Sequence, residues 1–583
     1  MKFRLILAAM AAAASVSCSA LKDGEYNLTL LATSDGHGYW FSKPFTPDGR
    51  VRGTLMAQSR FINDVRAEKG AENVILVDAG DNFMGNNAAF YYDYADTLSP
   101  YLYPRLASRM GYDAVIAGHC DFEAGHGVYD RAAEGFRKAG IPFLAGNAIS
   151  LKTGKPYFSS YTTVKKNGVK VAILGYTNAD NASLMDRSAY SGLEFKSLAP
   201  LVQNDVDRVR RREKPQVVIV VAHTAFGKGD GQNIEKQGLD LYQSLSGVDF
   251  VMAGHDHMTK GMCADSIALI DCGKAGQSAG VGEIRIVVKN GKVVGRELSA
   301  KTLNLDSRKT DEEMEKEFEP EFNAVRDFTN AKLGTINRDL VSREFYWGQC
   351  DYLNFLHTLA LTYRPMDISL TATLLIDDRV EAGDVRYADI RNIYPYENKL
   401  VVLSLSGKEI KDYLEASYDA WINTVSGPGE GHILKLKEAK NYSTGEMGWK
   451  LAKSPANFDS AAGICYTVDV TRPCGSRINI SSMADGSAYD MDRMYNVGIT
   501  TYRYVGSGGL LKAAGLDEFQ DVKDRVVYRG PEFRTILYEY LRKNGSIAPE
   551  KISDPKVVGS WKFVPDFASE EIRKDVELVY GKQ

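Results

Sequence analysis

Short runs of β-branched and aliphatic residues recur through the first half of the chain, and each is followed at once by a polar turn. The runs in NVILVDAG at 73–80 and KPQVVIVVAH at 214–223 are typical. Such runs are too short and too branched for a surface helix, and they favour strands buried on both faces of a sheet. The pattern therefore predicts a layered α/β fold for this part of the chain.

The residues that follow these runs are of one chemical kind, namely aspartate, histidine and asparagine. The segments read Asp35-Gly36-His37, Gly80-Asp81-Asn82, Gly118-His119-Cys120-Asp121-Phe122-Glu123 and Gly254-His255-Asp256-His257, and His223 follows a further run. Strand ends in α/β folds are where loops collect ligands, and these side chains carry the donors that Zn, Mn or Fe accept. A single buried histidine is more often a core residue, but five such segments in order predict a metal site.

These segments also resemble a known family. LLATSDGHG, LVDAGDNFMG, IAGHCDFEAG, VVAHTAFG and MAGHDH occur in the order and approximate spacing of the calcineurin-like metallophosphoesterase domain. After residue 26 the chain resembles the 5′-nucleotidase and 2′,3′-cyclic phosphodiesterase family of secreted two-domain enzymes. The resemblance implies an N-terminal four-layer α/β/β/α sandwich of two mixed sheets, a bridging helix and a C-terminal mixed α/β nucleotidase-type domain.

The resemblance also implies two divalent metal ions (Zn, Mn, Co or Mg) and a ligand set for them. Asp35, His37 and His257 would bind the first metal, Asp81 would bridge, His223 and His255 would bind the second, and His119 falls at the place of a ligand asparagine. A bridging carboxylate holds two metals about 3.5–4 Å apart, which is an arrangement used to activate water against a phosphoryl group.

One catalytic segment departs from the family pattern. The family has a ligand Asn, then a catalytic His, then an acid three residues later, where this chain has His119, Cys120 and Glu123. A cysteine cannot donate the cationic hydrogen bond of an imidazolium, so Cys120 is either a weakened catalytic group or a soft metal ligand that favours zinc. A one-residue slip would make His119 catalytic and leave Gly118 at the ligand place, but the spacing of Glu123 favours the unslipped register.

The C-terminal half resembles the nucleotidase substrate domain. LVVLSLSGKEIKDYLEASYDAW follows Pro395-Tyr396-Glu397-Asn398, which matches the family's Pro-Phe-x-Asn stretch. The resemblance implies substrate contacts from Asn398 and an aromatic clamp of Phe458 and Tyr502, because stacking between two rings tolerates many bases.

The substrate-binding arginine of the family is replaced in this chain. Asp377 stands at its place and would repel an anionic group. Arg379 and Arg343 are therefore candidate replacements for the missing cation.

The domain organisation predicted from these features has five parts. They are a signal peptide at 1–18, a metallophosphoesterase domain at 26–305, a linker helix at 306–335, a substrate-binding domain at 336–560 and a C-terminal tail at 561–583.

The N-terminus predicts export. MKFRLILAAMAAAASVSC has a basic start, a short apolar stretch and small residues before Cys18, as in a bacterial lipoprotein signal, although plain secretory cleavage stays open. We expect a periplasmic protein, or one anchored to the outer membrane through a lipidated Cys18, in a Gram-negative-type bacterium. The net charge of −4 gives no general attraction to polymeric nucleic acid, and a monomer is the default.

Cysteine spacing leaves two redox states open. Pairing of Cys263 with Cys272 and of Cys465 with Cys474 is compatible with an oxidising compartment, and six unpaired thiols are equally compatible with the sequence.

Three functional hypotheses follow. The preferred one is an exported phosphoesterase that hydrolyses nucleotides or related esters through a metal-activated water. The alternative is a catalytically weakened homologue that binds a nucleotide or other phosphorylated ligand, because Cys120 and Asp377 replace expected residues. The third is a surface interaction module in which metals only stabilise the fold.

Overall fold

The computed structural model describes residues 21–229, 234–264, 266–440, 447–516, 519–548, 552 and 556–582. The predicted signal peptide and Cys18 lie outside the described residues. The chain forms two compact units. Unit 1 comprises Met1–Lys43, Val51–Asn181 and Tyr190–Phe318, and unit 2 comprises Pro44–Arg50, Ala182–Ala189 and Glu319–Gln583.

The first part of the chain, through residue 318, alternates strands and helices. The strands are β1 (Gly24–Thr33), β2 (Val74–Asp78), β3 (Ala114–Ile116), β4 (Phe143–Leu144), β5 (Ala148–Ser150), β6 (Tyr161–Lys166), β7 (Val169–Tyr176), β8 (Leu193–Phe195), β9 (Val217–Ala222), β10 (Phe250–Ala253), β11 (Thr259–Ala264), β12 (Ile267–Cys272), β13 (Ser278–Lys289) and β14 (Lys292–Asn304). The helices are α1 (Leu55–Lys69), α2 (Asn87–Phe90), α3 (Tyr103–Met110), α4 (His119–Glu123), α5 (His126–Ala139), α6 (Asn181–Leu184), α7 (Leu198–Glu213), α8 (Gly238–Ser244) and α9 (Glu312–Glu317).

Two mixed sheets form the centre of unit 1. One has the strand order β14-β13-β1-β2-β3-β4 and the other β11-β12-β10-β9-β7-β6. The strands that lead to the candidate ligands are parallel within each sheet, because β2 pairs in parallel with β1 and β3, and β10 with β9. The sandwich predicted from the resemblance is confirmed.

The side chains of β9 point alternately into two apolar clusters, which explains why this strand has no polar face. Val217, Ile219 and Val221 belong to the apolar cluster between the two sheets. Val218 and Val220 belong to a second cluster that includes residues of α7 and α8. Both faces of the strand are therefore buried, and a continuous aliphatic run is the expected result.

Unit 2 is a mixed α/β unit. Its strands are β15 (Lys332–Ile336), β16 (Leu340–Val341), β17 (Ile368–Ala372), β18 (Arg379–Val380), β19 (Gly383–Arg386), β20 (Lys399–Ser406), β21 (Leu436–Lys440), β22 (Met447–Leu451), β23 (Asp459–Ala462), β24 (Ile464–Asp469), β25 (Ile478–Met483), β26 (Met494–Thr500), β27 (Val526–Glu532), β28 (Ser546–Ile547) and β29 (Trp561–Val564). Its helices are α10 (Glu319–Asn330), α11 (Asp351–Tyr363), α12 (Ile390–Ile393), α13 (Gly407–Asp419), α14 (Thr501–Tyr504), α15 (Leu510–Ala513), α16 (Phe519–Asp524), α17 (Phe533–Asn544) and α18 (Phe567–Tyr580). Along the whole chain, short 3-10 or π turns occupy Ala71–Asn73, Tyr91–Ala95, Arg343–Tyr346, Tyr387–Asp389, Pro455–Asn457 and Ser507–Gly509.

The main sheet of unit 2 has the order β23-β17-β26-β20-β27. The strand β20 leads into α13 through Ser406, whose hydroxyl accepts from the Glu409 N–H while the Glu409 carboxylate accepts from the Ser406 N–H. This reciprocal cap explains why the helix begins at Gly407.

Two predicted boundaries differ from the structure. The segment 306–335 holds two helices, α9 and α10, and the first residues of β15, rather than one helix, and the division between the units falls at Phe318. Residues 561–583 are not a separate tail, because β29 pairs in parallel with β24 and contributes the buried Trp561.

The six described cysteines form no disulfide. The β11–β12 register explains this for one predicted pair, since Cys263 lies opposite Ala268 and Cys272 lies opposite Thr259. Among the described residues, none of the helices combines the length and apolar character needed to cross a bilayer.

Candidate metal centre

The candidate ligands lie at the carboxyl ends of parallel strands in the two sheets of unit 1. Asp35 and Asp81 follow β1 and β2, and His119 begins α4 after β3. His223 and His255 follow β9 and β10. The loops after β1 and β2 are tied together, since the Asp35 N–H donates to the Gly80 carbonyl at 2.8 Å.

Five of the candidate ligands have a left-handed backbone. Their φ angles are 52° at Asp35, 45° at His37, 61° at Asp81, 81° at His255 and 61° at His257. A non-glycine residue in this region costs about 1–3 kcal/mol, and aspartate and histidine tolerate it better than branched residues do. Concentration of this strain at one place is typical of a functional site.

The first group of ligand atoms comes from Asp35, His37 and His257. The Nε2 atoms of the two histidines are 3.0 Å apart, and they lie 3.8 Å and 3.6 Å from Asp35 Oδ1. His37 Nδ1 lies 3.2 Å from the Met84 carbonyl. Donation to that carbonyl places the proton on Nδ1 and leaves Nε2 as a lone-pair donor.

The second group comes from Asp81, His119, His223 and His255, whose ligand atoms all lie within 4.8 Å of one another. His119 Nδ1 lies 2.8 Å from Asp81 Oδ2, 3.1 Å from His223 Nε2 and 3.1 Å from His255 Nδ1. Asp81 also shares a ligand cluster with His37 of the first group. This carboxylate therefore lies where a bridge between the two groups is needed.

Outer partners orient two of the three histidines of the second group. His223 Nδ1 lies 2.8 Å from the Ala79 carbonyl, and His255 Nε2 lies 2.5 Å from Glu235 Oε1. The hydrogen bond from His255 lowers the pKa of Glu235. Donation to these partners places the protons of His223 and His255 away from the cluster, which is how metal-bound histidines are oriented.

Two further observations indicate that these residues can bind divalent metals. Zn–N bonds of about 2.0–2.1 Å place two nitrogens on one ion about 3–3.4 Å apart, and the facing ring nitrogens are 3.0 or 3.1 Å apart. The Asp81 Oδ2 atom is buried and receives no aligned hydrogen-bond donor. Burial would raise the pKa of Asp81, but His119 and His223 hold that pKa well below its usual range.

A fully buried carboxylate that the sequence analysis did not select organises the centre. Asp121 Oδ2 accepts from the Asp81 and Gly118 N–H groups, at 2.9 Å and 2.8 Å. Asp121 Oδ1 accepts from the Asn82 and Phe83 N–H groups, at 2.8 Å and 2.9 Å. Its position three residues after Gly118, at the start of α4, is the signal that could have found it, because acids at this place cap helices.

The segment that departs from the family pattern, which holds His119, Cys120 and Glu123, lies beside both ligand groups. The Cys120 N–H donates to Asp81 Oδ1 at 2.8 Å, and Cys120 Sγ lies 3.3 Å from His119 Nε2. The sulfur lies within 4.8 Å of ligand atoms of His37 and Asp81, and also of His119 and Glu123. A side chain at position 118 would collide with Asp81 Oδ1, so this close approach requires Gly118.

In unit 2, only part of the predicted substrate site comes together. A cavity of about 300 Å³ is lined by Tyr502 and Asn398, and also by Tyr396, which the sequence analysis did not select. Phe458 does not line it, because its side chain is buried and stacks on Trp421, with ring centroids 4.7 Å apart.

The two arginines that were candidates for binding the acidic group of the substrate form ion pairs with aspartates instead. Arg343 is buried and binds Asp377 through two hydrogen bonds of 2.5 Å and 2.8 Å. Arg379 is exposed and lies 3.4 Å from Asp339. The cavity has its own buried cation, Arg503, which pairs with Asp459.

Comparison with known proteins matches both units. The family model of the calcineurin-like phosphoesterases matches residues 28–259, and that of the 5′-nucleotidase C-terminal domain matches residues 329–515. A 5′-nucleotidase from Vibrio vulnificus is 25% identical over 571 residues, covering 91% of this chain and 93% of that protein. Protein UshA from Yersinia enterocolitica is 24% identical over 466 residues, covering 72% and 82%.

A solved structure agrees in fold. The NAD nucleotidase NadN of Haemophilus influenzae has a TM-score of 0.59 and covers 92% of this chain and 99% of its own, at 15% identity.

A two-sheet sandwich whose strand ends gather carboxylates and imidazoles defines a metallophosphoesterase, a metal-dependent hydrolase of phosphate esters. The chain belongs to the family that joins this domain to a 5′-nucleotidase C-terminal domain, and it is 5′-nucleotidase-like. These matches favour hydrolysis over the weakened binding homologue that the sequence left as the alternative.

Proposed function

We propose that this protein hydrolyses 5′-nucleotides or related small phosphate esters with two divalent metal ions held in unit 1. The observation that carries the proposal is the convergence of imidazole nitrogens and carboxylates in two groups that meet at Asp81. The relatives named 5′-nucleotidase support a nucleotide substrate, and the NAD nucleotidase supports inclusion of dinucleotides among the candidates.

In the proposed assignment, Asp35, His37 and His257 bind one metal and His119, His223 and His255 bind the other, with Asp81 between them. His119 is then a ligand rather than the catalytic imidazole, because its Nδ1 atom faces Asp81 at 2.8 Å. This assignment follows the unslipped register.

The chain's own groups hold protons away from the reaction. Metals at such paired sites activate water and offset charge on the phosphoryl oxygens. The Met84 and Ala79 carbonyls retain the Nδ1 protons of His37 and His223, and Glu235 retains the Nε2 proton of His255. These contacts leave the cluster-facing nitrogens of His37, His223 and His255 as lone-pair donors for a bound metal.

The ring of the substrate is proposed to bind in the unit 2 cavity. Tyr502 and Tyr396 are both partly exposed there and offer aromatic faces, and Asn398 offers an amide. Because Arg503, which lines this cavity, is neutralised by Asp459, the cavity suits an uncharged ring better than an anionic one.

Export is proposed from the N-terminal 18 residues, with lipidation at Cys18 as one route and plain secretion as the other. Mass spectrometry of the mature N-terminus distinguishes the two, because a lipidated cysteine carries the mass of its acyl chains.

The test is a hydrolysis panel on metal-stripped protein restored with Mn, Zn, Co or Mg. The substrates are 5′-AMP, 2′,3′-cyclic AMP, a nucleotide sugar and bis-p-nitrophenyl phosphate. Asp81→Asn removes the proposed bridge and should lower turnover at least about 100-fold, since even outer partners of metal ligands are worth about 10- to 100-fold. The control Asp311→Asn alters a buried aspartate that caps α9 and should keep activity.

Equal turnover in the parent and Asp81→Asn would contradict the proposal. Metal removal that lowers thermal stability, in a protein with no turnover on any ester, would instead support the interaction-module hypothesis.

A further inference from the structure

The backbone of α4 holds Cys120 against the candidate metal centre. Its N–H donates to Asp81 Oδ1 at 2.8 Å, while Asp121 on the same turn accepts from the Asp81 N–H. Two hydrogen bonds in opposite directions therefore fix this turn to the proposed bridging residue. These hydrogen bonds place the Cys120 side chain next to the ligand cluster.

The sulfur points among metal-ligating atoms. Cys120 Sγ, one carboxylate oxygen of Asp81 and a ring nitrogen of His37 lie within 4.8 Å of one another. Asp81 is fully buried, and its Oδ2 atom, which faces His119 and His223, receives no aligned hydrogen-bond donor, so a cation bound to this carboxylate would satisfy it. A sulfur, a carboxylate and an imidazole are together the donor set of a zinc-type site.

Other cysteines of the chain have a different environment. Cys272 packs in the apolar cluster between the sheets, and burial raises the pKa of its thiol. Burial also raises the pKa of Cys350, to about 12. Cys120 is the described cysteine that joins histidine and carboxylate ligand atoms in a common cluster.

We propose that the Cys120 thiolate is a direct ligand of the metal centre, at the position bounded by His37 and Asp81. Binding forms a sulfur–metal bond and releases the thiol proton to solvent. The inference rests on the proposed metal site but not on turnover.

The sulfur donor has a consequence for metal choice. Soft thiolate ligands favour zinc and cobalt over magnesium, whereas carboxylates and water suit magnesium. The site of this chain should therefore retain zinc against excess magnesium. In Cys120→Ser, the ratio of zinc affinity to magnesium affinity should fall roughly tenfold or more.

The deciding experiment is X-ray absorption at the zinc edge of the full chain after zinc reconstitution, with metal content counted on the same sample. A sulfur shell at about 2.3 Å is expected in the parent. It should persist in the control Cys465→Ser, which removes a partly exposed thiol of unit 2, and disappear in Cys120→Ser. Cobalt substitution gives a second readout, because thiolate ligation adds a sulfur-to-metal charge-transfer band in the near ultraviolet.

The outcomes separate this inference from the proposed function. Zinc-loaded parent that hydrolyses esters but has no sulfur shell overturns the inference and leaves the function standing. A sulfur shell that survives in Cys120→Ser assigns the sulfur to another residue and also overturns it. If the parent binds no zinc, the inference is overturned. If the parent also hydrolyses no ester with any other metal, the proposed function is overturned too. The parent spectrum decides even if Cys120→Ser fails to fold.

Discussion

Replacing Asp121 by asparagine should disrupt the metal centre, although none of the proposed ligands is itself changed. The carboxylate accepts four N–H groups, two on each oxygen, from the Asp81 loop and from Gly118. An asparagine side chain has one oxygen and one NH₂ group. Whichever way it turns, two backbone donors then face another donor.

The size of the effect follows from those two lost hydrogen bonds. A hydrogen bond to a charged group is worth about 1.5–3 kcal/mol, so we expect a loss of about 3–6 kcal/mol in unit 1. For a unit of this size, that corresponds to a fall in Tm of roughly 6–12 °C. Because the Asp81 N–H is one of the donors, metal affinity should fall together with stability.

The assay is calorimetry at pH 8 with metal content measured in parallel. Burial and the Asp81 charge raise the pKa of Asp121 to about 7, so the parent carboxylate is ionised at pH 8. Asp311→Asn is the matched control, since it weakens the cap on α9 and should lower Tm without metal loss. An Asp121→Asn protein with parental Tm and full metal content would refute the reasoning.

Three other predictions concern unit 2. Burial lowers the pKa of His357 to about 3, and an unfolded histidine titrates near 6.5; stability is therefore complete above about pH 6.5 and falls by about 2 kcal/mol at pH 5. His357→Gln should flatten this pH dependence of Tm, and an unchanged profile would assign it to another group. Arg343→Ala and Asp377→Ala together should cost less than the sum of the single variants, by about 1–3 kcal/mol of unfolding free energy, because the pair shares two hydrogen bonds; additive losses would contradict the pairing. Tyr502→Ala should raise KM for 5′-AMP about tenfold, since stacking on one base is worth about 1–3 kcal/mol, while KM for glycerol phosphate stays constant; equal changes for both esters would exclude stacking.

The pattern of residues predicted the buried strands and the clustering of polar residues at their ends because both depend on local rules, whereas the four-layer sandwich and the ligand set were implied by the family resemblance. A strand such as β9 is apolar on both faces, so its extent is readable from one run of residues. The polar residues that end such strands can only lie at a sheet edge, which is why Asp35, His223 and His255 were predicted to lie together.

The supporting residues could not be predicted because they depend on contacts between distant segments. Glu235 lies twenty positions from His255 and follows no aliphatic run, yet it accepts the hydrogen bond that orients that ring. Phe458 matched the family position of a clamp residue, but stacking on Trp421 buries it in the core. Side-chain packing of this kind leaves no periodic signal along the chain.

The Arg343–Asp377 pair constrains the order in which its two positions can change. Reverting Asp377 alone to arginine would place two guanidinium groups side by side around a buried position, and removing Arg343 alone would leave the carboxylate without its partner. The first change is penalised because the buried Arg343 would lose its partner, whereas the exposed Asp377 can be solvated after the second. Relatives of this chain that keep an arginine at the position of Arg343 should therefore keep an acidic partner for it, whereas the position of Asp377 can stay acidic without the arginine.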